Sequence, residues 1–333
     1  MTRYIRDSRF LVPILGLVLA SPAASAQAPR QPMNYDGNAG GVRLLEEGQP
    51  TVMVHPTVEA AQQARQAHGV TQQASTANDL YYHGGVGGIG VETAPKVYLV
   101  FWGSQWSNDP SGEAAILRSF YSGAGGSKWL NSVTQYCQGV PSGTYFCSGG
   151  QAAGNPSGIL AGSWYDNAGS APSHPRQSAL AGEAVRAAAH WGNTSSSSNA
   201  SVQYVIATAS GNSSRGFGTQ YCDWHSSTSS SYGNIAYTNL PYITDAGASC
   251  GANFNGLGPD AGITIVSGHE MGETITDQFP NGGWLDSGGA ENGDKCAWIS
   301  SGQGASANVS FSTGTFAVQS LWSNATANCV MSY

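Results

Sequence analysis

The sequence predicts one α/β domain built on a twisted sheet and stabilised by disulfides. Three observations carry this expectation. The stretch "KVYLVFW" (residues 96–102) is β-rich and apolar on both faces, the composition of a buried strand. "SALAGEAVRAAAHWG" has the apolar spacing of a helix and stops at Gly192. The six cysteines, Cys137, Cys147, Cys222, Cys250, Cys296 and Cys329, are even in number and fall in the later part of the chain. In an exported protein such a set reads as disulfides. Pairing of sequence neighbours (137 with 147, 222 with 250, 296 with 329) closes short loops and is the expected connectivity. None of the cysteines has a C-x-x-C spacing, which argues against a cysteine zinc site.

The N-terminus predicts export. Arg3, Arg6 and Arg9 precede an apolar stretch over residues 10–20, and Ala24-Ser25-Ala26 is the small-residue pattern cut by signal peptidases. Residues 1–26 therefore read as a signal peptide, and the protein as secreted and extracellular, with the periplasm a possible place of transit. The apolar run is shorter than the ~20 residues that a membrane span needs. The formal net charge is −7, and loss of the first 26 residues, with three arginines and one aspartate, leaves the rest near −9. No basic run occurs, so neither nucleic acid nor an anionic membrane is an expected partner. A monomer is expected.

Residues 27–78 are polar, rich in turn formers and free of cysteine, and predict a propeptide or flexible leader. "TVEAAQQARQAHG" within them can form one short helix from Thr57 to Gly69. Residues 79–333 form the expected catalytic domain, long enough for a substantial core. After the first strand, residues 112–136 carry helical spacing through Ala115, Ile116 and Phe120, then Trp129, Leu130 and Val133. "VQYVIATAS" predicts a strand, "YCDWHSSTSSSYG" a loop, and "NIAYTNLPY" a strand near the functional site. The tail "ANVSFSTGTFAVQSLWSNATANCVM" alternates as strands do.

The chemistry concentrates in "GPDAGITIVSGHEMGETITDQFPNGG". Asp260 as N-cap and the Pro280-Asn281-Gly282-Gly283 stop predict a helix over residues 261–278. His269 and Glu273 lie four apart on one face and can point at one ion. Glu270, about 100° round the axis, can reach a water beside that ion without ligating it. This is the division of labour of the H-E-x-x-H zinc peptidases, with a carboxylate in place of the second imidazole. Catalytic zinc takes three protein ligands, and "WLDSGGAENGDKCAW" downstream offers Asp286, Glu291 and Asp294. Glu291 is the first choice for a third ligand and Asp294 the second. Asp277 lies too far along the helix, ~12 Å from His269 at 1.5 Å per residue.

His225 can serve as a third ligand or support a developing oxyanion. Tyr232 and Tyr237 are further oxyanion donors to consider. His83 reads as part of a turn and His190 as a helix C-terminal cation. "GGVGGIG" precedes a strand and reads as a turn, not a phosphate loop. "LDSGGAENGD" has the composition to hold structural calcium but not the EF-hand pattern.

The blocks "YHGG", "VYLVFWGSQW", "CDWHSS", "GHEMGETITD" and "WLDSGGAENGDKCAW", in this order, resemble a family of secreted bacterial proteins with the pattern H-E-x-x-E-x-x-T-D and a later E-x-x-D-x-C. Those proteins are regarded as zinc-dependent peptidases, and the plant phosphate-induced (EXORDIUM-like) extracellular proteins look like distant relatives. The motif falls here on His269, Glu270, Glu273, Thr276, Asp277, Glu291, Asp294 and Cys296. The resemblance implies a zincin-like domain with the active-site helix under an edge strand. It also implies one catalytic Zn2+ and a protein or peptide substrate. Some plant relatives lack the His and Glu positions, which keeps a second function in view: a non-catalytic extracellular protein that binds wall glycans or a protein partner.

Overall fold

Residues 96–102 set the frame, because their side chains are buried on both faces of one strand. Val97, Leu99 and Phe101 enter one apolar cluster, and Val100 and Trp102 enter another on the opposite face. A strand covered on both sides belongs in the middle of a layered α/β sheet. The computed structural model describes residues 41–43, 45–67 and 79–333, all within one unit spanning Tyr35–Tyr333. The expected signal peptide lies outside the described residues, as do parts of the expected leader.

Strands are numbered along the chain. The main sheet has seven: β1 (Gly41–Arg43), β2 (Val52–Pro56), β4 (Lys96–Trp102), β7 (Leu160–Asp166), β8 (Val202–Thr208), β9 (Tyr221–Ser230) and β10 (Gly233–Leu240), in the order β1-β2-β9-β10-β8-β4-β7. β10, β8, β4 and β7 run parallel, and β9 runs antiparallel to β10 in a hairpin. Short antiparallel pairs surround the sheet: β3 (Tyr81–Tyr82) with β11 (Trp284–Leu285), β5 (Cys137–Gln138) with β6 (Gln151–Ala152), β12 (Ala307–Phe311) with β13 (Gly314–Val318), and β14 (Leu321–Ser323) with β15 (Asn328–Val330). Helix α3 (Gln177–His190) covers one face; α2 (Glu113–Ala124) and α4 (Ala261–Thr276) cover the other, and α1 (Val58–Ala67) follows β2. The three disulfides are Cys137–Cys147, Cys222–Cys250 and Cys296–Cys329, the expected connectivity. Among the described residues no helix is long and apolar enough to cross a membrane.

Four expectations need correction. "YCDWHSSTSSSYG" is not a loop: its first ten residues are β9, a strand whose Ser and Thr content hides its periodicity. The leader is not loose over its described part. β2 is fully buried and hydrogen-bonded in the main sheet, and α1 forms where the short helix was expected. The helix expected over residues 261–278 ends at Thr276. Its C-terminal turn closes on Asp277, whose carboxylate accepts the backbone N–H groups of Asn281, Gly282 and Gly283. Asp260 precedes the helix but makes no side-chain cap.

Every residue of α4 is buried. Ile263, Ile265, Val266, Met271 and Ile275 supply the apolar packing, worth ~1.5–3 kcal/mol each when fully covered. Its hydroxyls turn back on backbone carbonyls: Ser267 on Ile263, Thr274 on Glu270, and Thr264 on Ala317 of β13. The residues left without such an outlet are His269, Glu270 and Glu273.

Glu92, whose backbone N–H donates to Ile275 O in the last turn of that helix, gives the fold a pH dependence. It is fully buried, it accepts a hydrogen bond from Gln203 Nε2 at 2.9 Å, and burial raises its pKa from 4.5 to about 8 against that bond. Between those values the folded chain holds a proton that the unfolded chain has released, so stability falls as pH rises through the window. Glu92→Gln is expected to remove this component. Melting temperatures of variant and wild type should converge near pH 5 and separate in the variant's favour towards pH 8. A difference that stays constant with pH would assign the slope to other groups.

Candidate metal centre

Three pieces of backbone meet at one point. α4 presents His269 and Glu273 one turn apart, with Glu270 between them. The polypeptide then folds back through β11 into a short turn, where Glu291 and Asp294 face the helix. This turn is locked locally: Glu291 N–H donates to Asp294 Oδ2 at 3.0 Å, and Asp294 N–H donates to Glu273 Oε1 at 2.8 Å. The Cys296–Cys329 bridge fixes its far end. Gly293 sits so close that an added Cβ would lie 2.8 Å from Glu273 Oε1 and 2.9 Å from His269 Nδ1, so a larger residue would displace these side chains. β9 supplies the third side with Asp223 and His225, two apart and therefore on one face of the strand.

The distances define two overlapping groups. His269 Nε2 is 2.9 Å from Glu273 Oε1 and 3.7 Å from Asp294 Oδ1. His225 Nδ1 is 2.7 Å from Glu270 Oε2 and 3.8 Å from Glu273 Oε2. His269, Glu273 and Asp294 form one set whose donor atoms could hold a cation, and His225, Glu270 and Glu273 form another, so Glu273 is common to both. Glu291 lies on the His225 side, its Oε2 3.6 Å from His225 Nε2. Asp294, the second choice from sequence, is thus the downstream carboxylate within reach of His269. Asp286 belongs to neither set: it accepts the N–H groups of Gly288 and Ala290 and pairs with Lys295 at 3.0 Å. Among the described residues the downstream loop therefore brings no calcium-like cluster together around Asp286.

All of these side chains have zero or near-zero exposure. Asp223, Glu270, Glu273, Glu291 and Asp294 are five carboxylates within one buried region, and every ion pair found for them is with a histidine. Burial pushes Glu291 and Asp294 well above the usual carboxylate range, with Glu273 adding to both; burial and then Glu270 do the same to Asp223. Glu273 alone is held down: burial is the largest single influence and raises it, but His269, His225 and a hydrogen bond with Glu291 together lower it. For His269, burial opposes the charge, but Glu273, Glu270 and Asp294 prevail and raise it to about 9.

These groups fit a cation. His225 Nε2, His269 Nε2, Glu270 Oε1, Glu273 Oε2, Asp294 Oδ1 and both Glu291 oxygens are buried with no hydrogen-bond partner. Leaving one such group unpaired costs ~1–3 kcal/mol, more for a charge. The imidazole of His269 is also aimed. Its Nδ1 meets Gln319 Oε1 at 3.2 Å, while the Gln319 amide nitrogen donates to Gly293 O at 2.9 Å. Oε1 can only accept, so Nδ1 carries a proton and Nε2 faces Glu273 and Asp294, where a cation would displace the proton that the raised pKa keeps there. Orienting a ligand histidine through its other nitrogen is the usual supporting arrangement of a metal site.

Sequence reasoning missed three contributors. Gln319 lies between β13 and β14, with no motif to mark it. Asp223 would have followed from His225 had β9 been read as a strand. His55 was hidden in the expected leader, yet its ring stacks on His269 at 3.7 Å with a 5° interplanar angle, and its Nδ1 is 3.2 Å from Asp223 Oδ1. Burial, and then His269, lower its pKa well below 6.5. Other expectations are placed elsewhere. Tyr237 packs in the cluster on the α3 face, and Tyr232 lies partly buried against the same cluster, so neither can be an oxyanion donor here. His83 is exposed beside Tyr81 O, and His190 is exposed at the end of α3 and stacked on Trp164. Comparison with protein-family models, characterised proteins and solved structures gives no match.

Proposed function

We propose that this protein is a secreted, zinc-dependent endopeptidase whose centre is the His269–Glu273–Asp294 set, with Glu270 as general base. The observation that carries the reading is the aimed Nε2 of His269 facing Glu273 and Asp294, beside a third carboxylate, Glu270, that has its own histidine. Imidazole and carboxylate are both zinc ligands, and three protein ligands is the number a catalytic zinc keeps. When bound, zinc would act as a Lewis acid and bring the pKa of a coordinated water to ~7.

The chain's own groups divide the remaining work. Glu270 takes the proton of the attacking water as the carbonyl carbon gains its oxygen, then delivers it to the amine as the C–N bond breaks. Burial raises the Glu270 pKa, and the His225 hydrogen bond opposes that rise, so His225 favours the ionised carboxylate and fixes its direction. Export through residues 1–26 and restraint by the N-terminal segment belong to the same proposal; three disulfides in the described chain are consistent with an oxidising compartment.

Casein hydrolysis and zinc content, measured on one preparation, test the reading. About one zinc per chain and hydrolysis abolished by a chelator and restored by zinc are expected. Protein that folds without binding zinc, and is inert in every form, would favour the binding-protein alternative.

A further inference from the structure

We infer that the outer edge of β9 is a seat for an extended peptide, and that residues 52–56 occupy it as a built-in stand-in that closes the centre. The inference rests on the peptidase reading and adds its substrate class and its restraint.

β2 lies on β9 in antiparallel register, with Met53 opposite His225, Val54 opposite Trp224 and His55 opposite Asp223. Among the described residues, only β1 lies beyond β2. Without these two strands β9 is an open sheet edge carrying Asp223 and His225 beside α4. An open edge offers unpaired N–H and C=O groups to any extended chain. Opposed residues share a face, so His55 is delivered onto the centre by register. Its ring lies on His269, and its Nε2 is buried without a hydrogen-bond partner. While that ring is in place it covers one face of His269.

The body holds β2 by its backbone. Ser226 Oγ donates to Thr51 O at 2.8 Å and Trp298 Nε1 donates to Pro56 O at 2.8 Å, one at each end of the strand. Arg65 of α1 adds a hydrogen bond at 2.8 Å to Ala297 O. Donors that read carbonyls accept many sequences. Trp298 has a left-handed backbone, φ 53°, unusual for a bulky residue; strain of this kind gathers at ligand clamps. Its indole also stacks on His55 at 4.9 Å. All three disulfides join residues within 137–329, so no disulfide among the described residues ties β2 to the body. At Pro56, which lacks an N–H, the register shifts and pairing stops.

The stand-in also describes the ligand. Val52, Met53 and Val54 are almost wholly buried, and Val52 and Val54 join the cluster of Trp224 and Tyr237. The seat takes an uncharged, extended peptide with β-branched or other apolar residues at alternate positions.

The test uses the full chain with a specific protease recognition sequence inserted between Ala67 and Asp79, folded intact and then cut. A fluorescent peptide of residues 51–56 is titrated into zinc-loaded intact and cut protein and followed by anisotropy. A tethered competitor acts at up to ~mM effective concentration, so the cut protein should bind ~10-fold or more tightly, and casein hydrolysis should rise on cutting and fall with added peptide. The cut segment can stay seated, so the titration is repeated with Val54→Asp, which weakens the resident strand and leaves β9 unchanged. Failure of this cut variant to take the peptide overturns the inference, as does loss of near-ultraviolet circular dichroism on cutting, which would make β2 an integral core strand. Hydrolysis indifferent to cutting and to peptide overturns the seat and leaves the peptidase reading intact. Peptide binding without hydrolysis in any form supports the seat and overturns the peptidase.

Discussion

Glu270→Gln is expected to abolish peptide hydrolysis while the protein stays folded and keeps its zinc. The substitution preserves volume in a fully buried position, where a change of even one methylene is felt. Glutamine can still meet His225 across the 2.7 Å contact now made by Oε2, but it cannot take a proton. A general base contributes ~10²–10⁴-fold, so turnover should fall by at least ~10²-fold at unchanged zinc content. Turnover like wild type would remove Glu270 from the mechanism. Loss of zinc instead of turnover alone would mean that the cation sits in the His225–Glu270–Glu273 set. The single variant therefore separates the two overlapping groups.

The second large effect concerns Glu273, the residue both groups share. Glu273→Ala should lose zinc and activity together. Wild type should gain thermal stability with added zinc, ~2.7 kcal/mol when free zinc is 100 times its dissociation constant, and the alanine variant should gain none. Glu273→His recreates H-E-x-x-H and should recover part of the binding. Of the two downstream carboxylates, Asp294→Ala should cost more zinc affinity than Glu291→Ala, because Asp294 Oδ1 faces His269 Nε2 whereas Glu291 faces His225. A supporting residue near a metal is worth 10–100-fold in affinity, and that is the expectation for Glu291. Calorimetric zinc titration ranks them; a larger loss at Glu291 would place the cation nearer β9. Full zinc occupancy in Glu273→Ala would reduce Glu273 to a residue of the helix face.

Much of the fold was legible because local periodicity and tertiary burial agree. The strand at 96–102, the helix at 177–190 and the disulfide pairing all follow from spacing, and each occurs. The pair His269 and Glu273 was legible for a geometric reason: a helix places residues four apart on one face wherever it sits in the fold. β9 was not legible. Its inward side chains at 223 and 225 are polar because they face the buried carboxylates, and its later residues are Ser and Thr, so the alternation that marks a strand is absent.

By itself, then, the sequence determined the helix that carries His269, Glu270 and Glu273, the residue types that could bind a cation, and the bridges that brace the domain. Each depends on neighbours within one element or on one covalent pairing. Only the tertiary structure decided which downstream carboxylate meets His269, that Gln319 orients it, and that His55, 214 residues before His269 in the chain, lies on its ring. Those relations depend on strand register and on where loops return. A one-residue slip of β2 would turn His55 to the opposite face, and nothing in the local sequence fixes that register except the partner strand it meets.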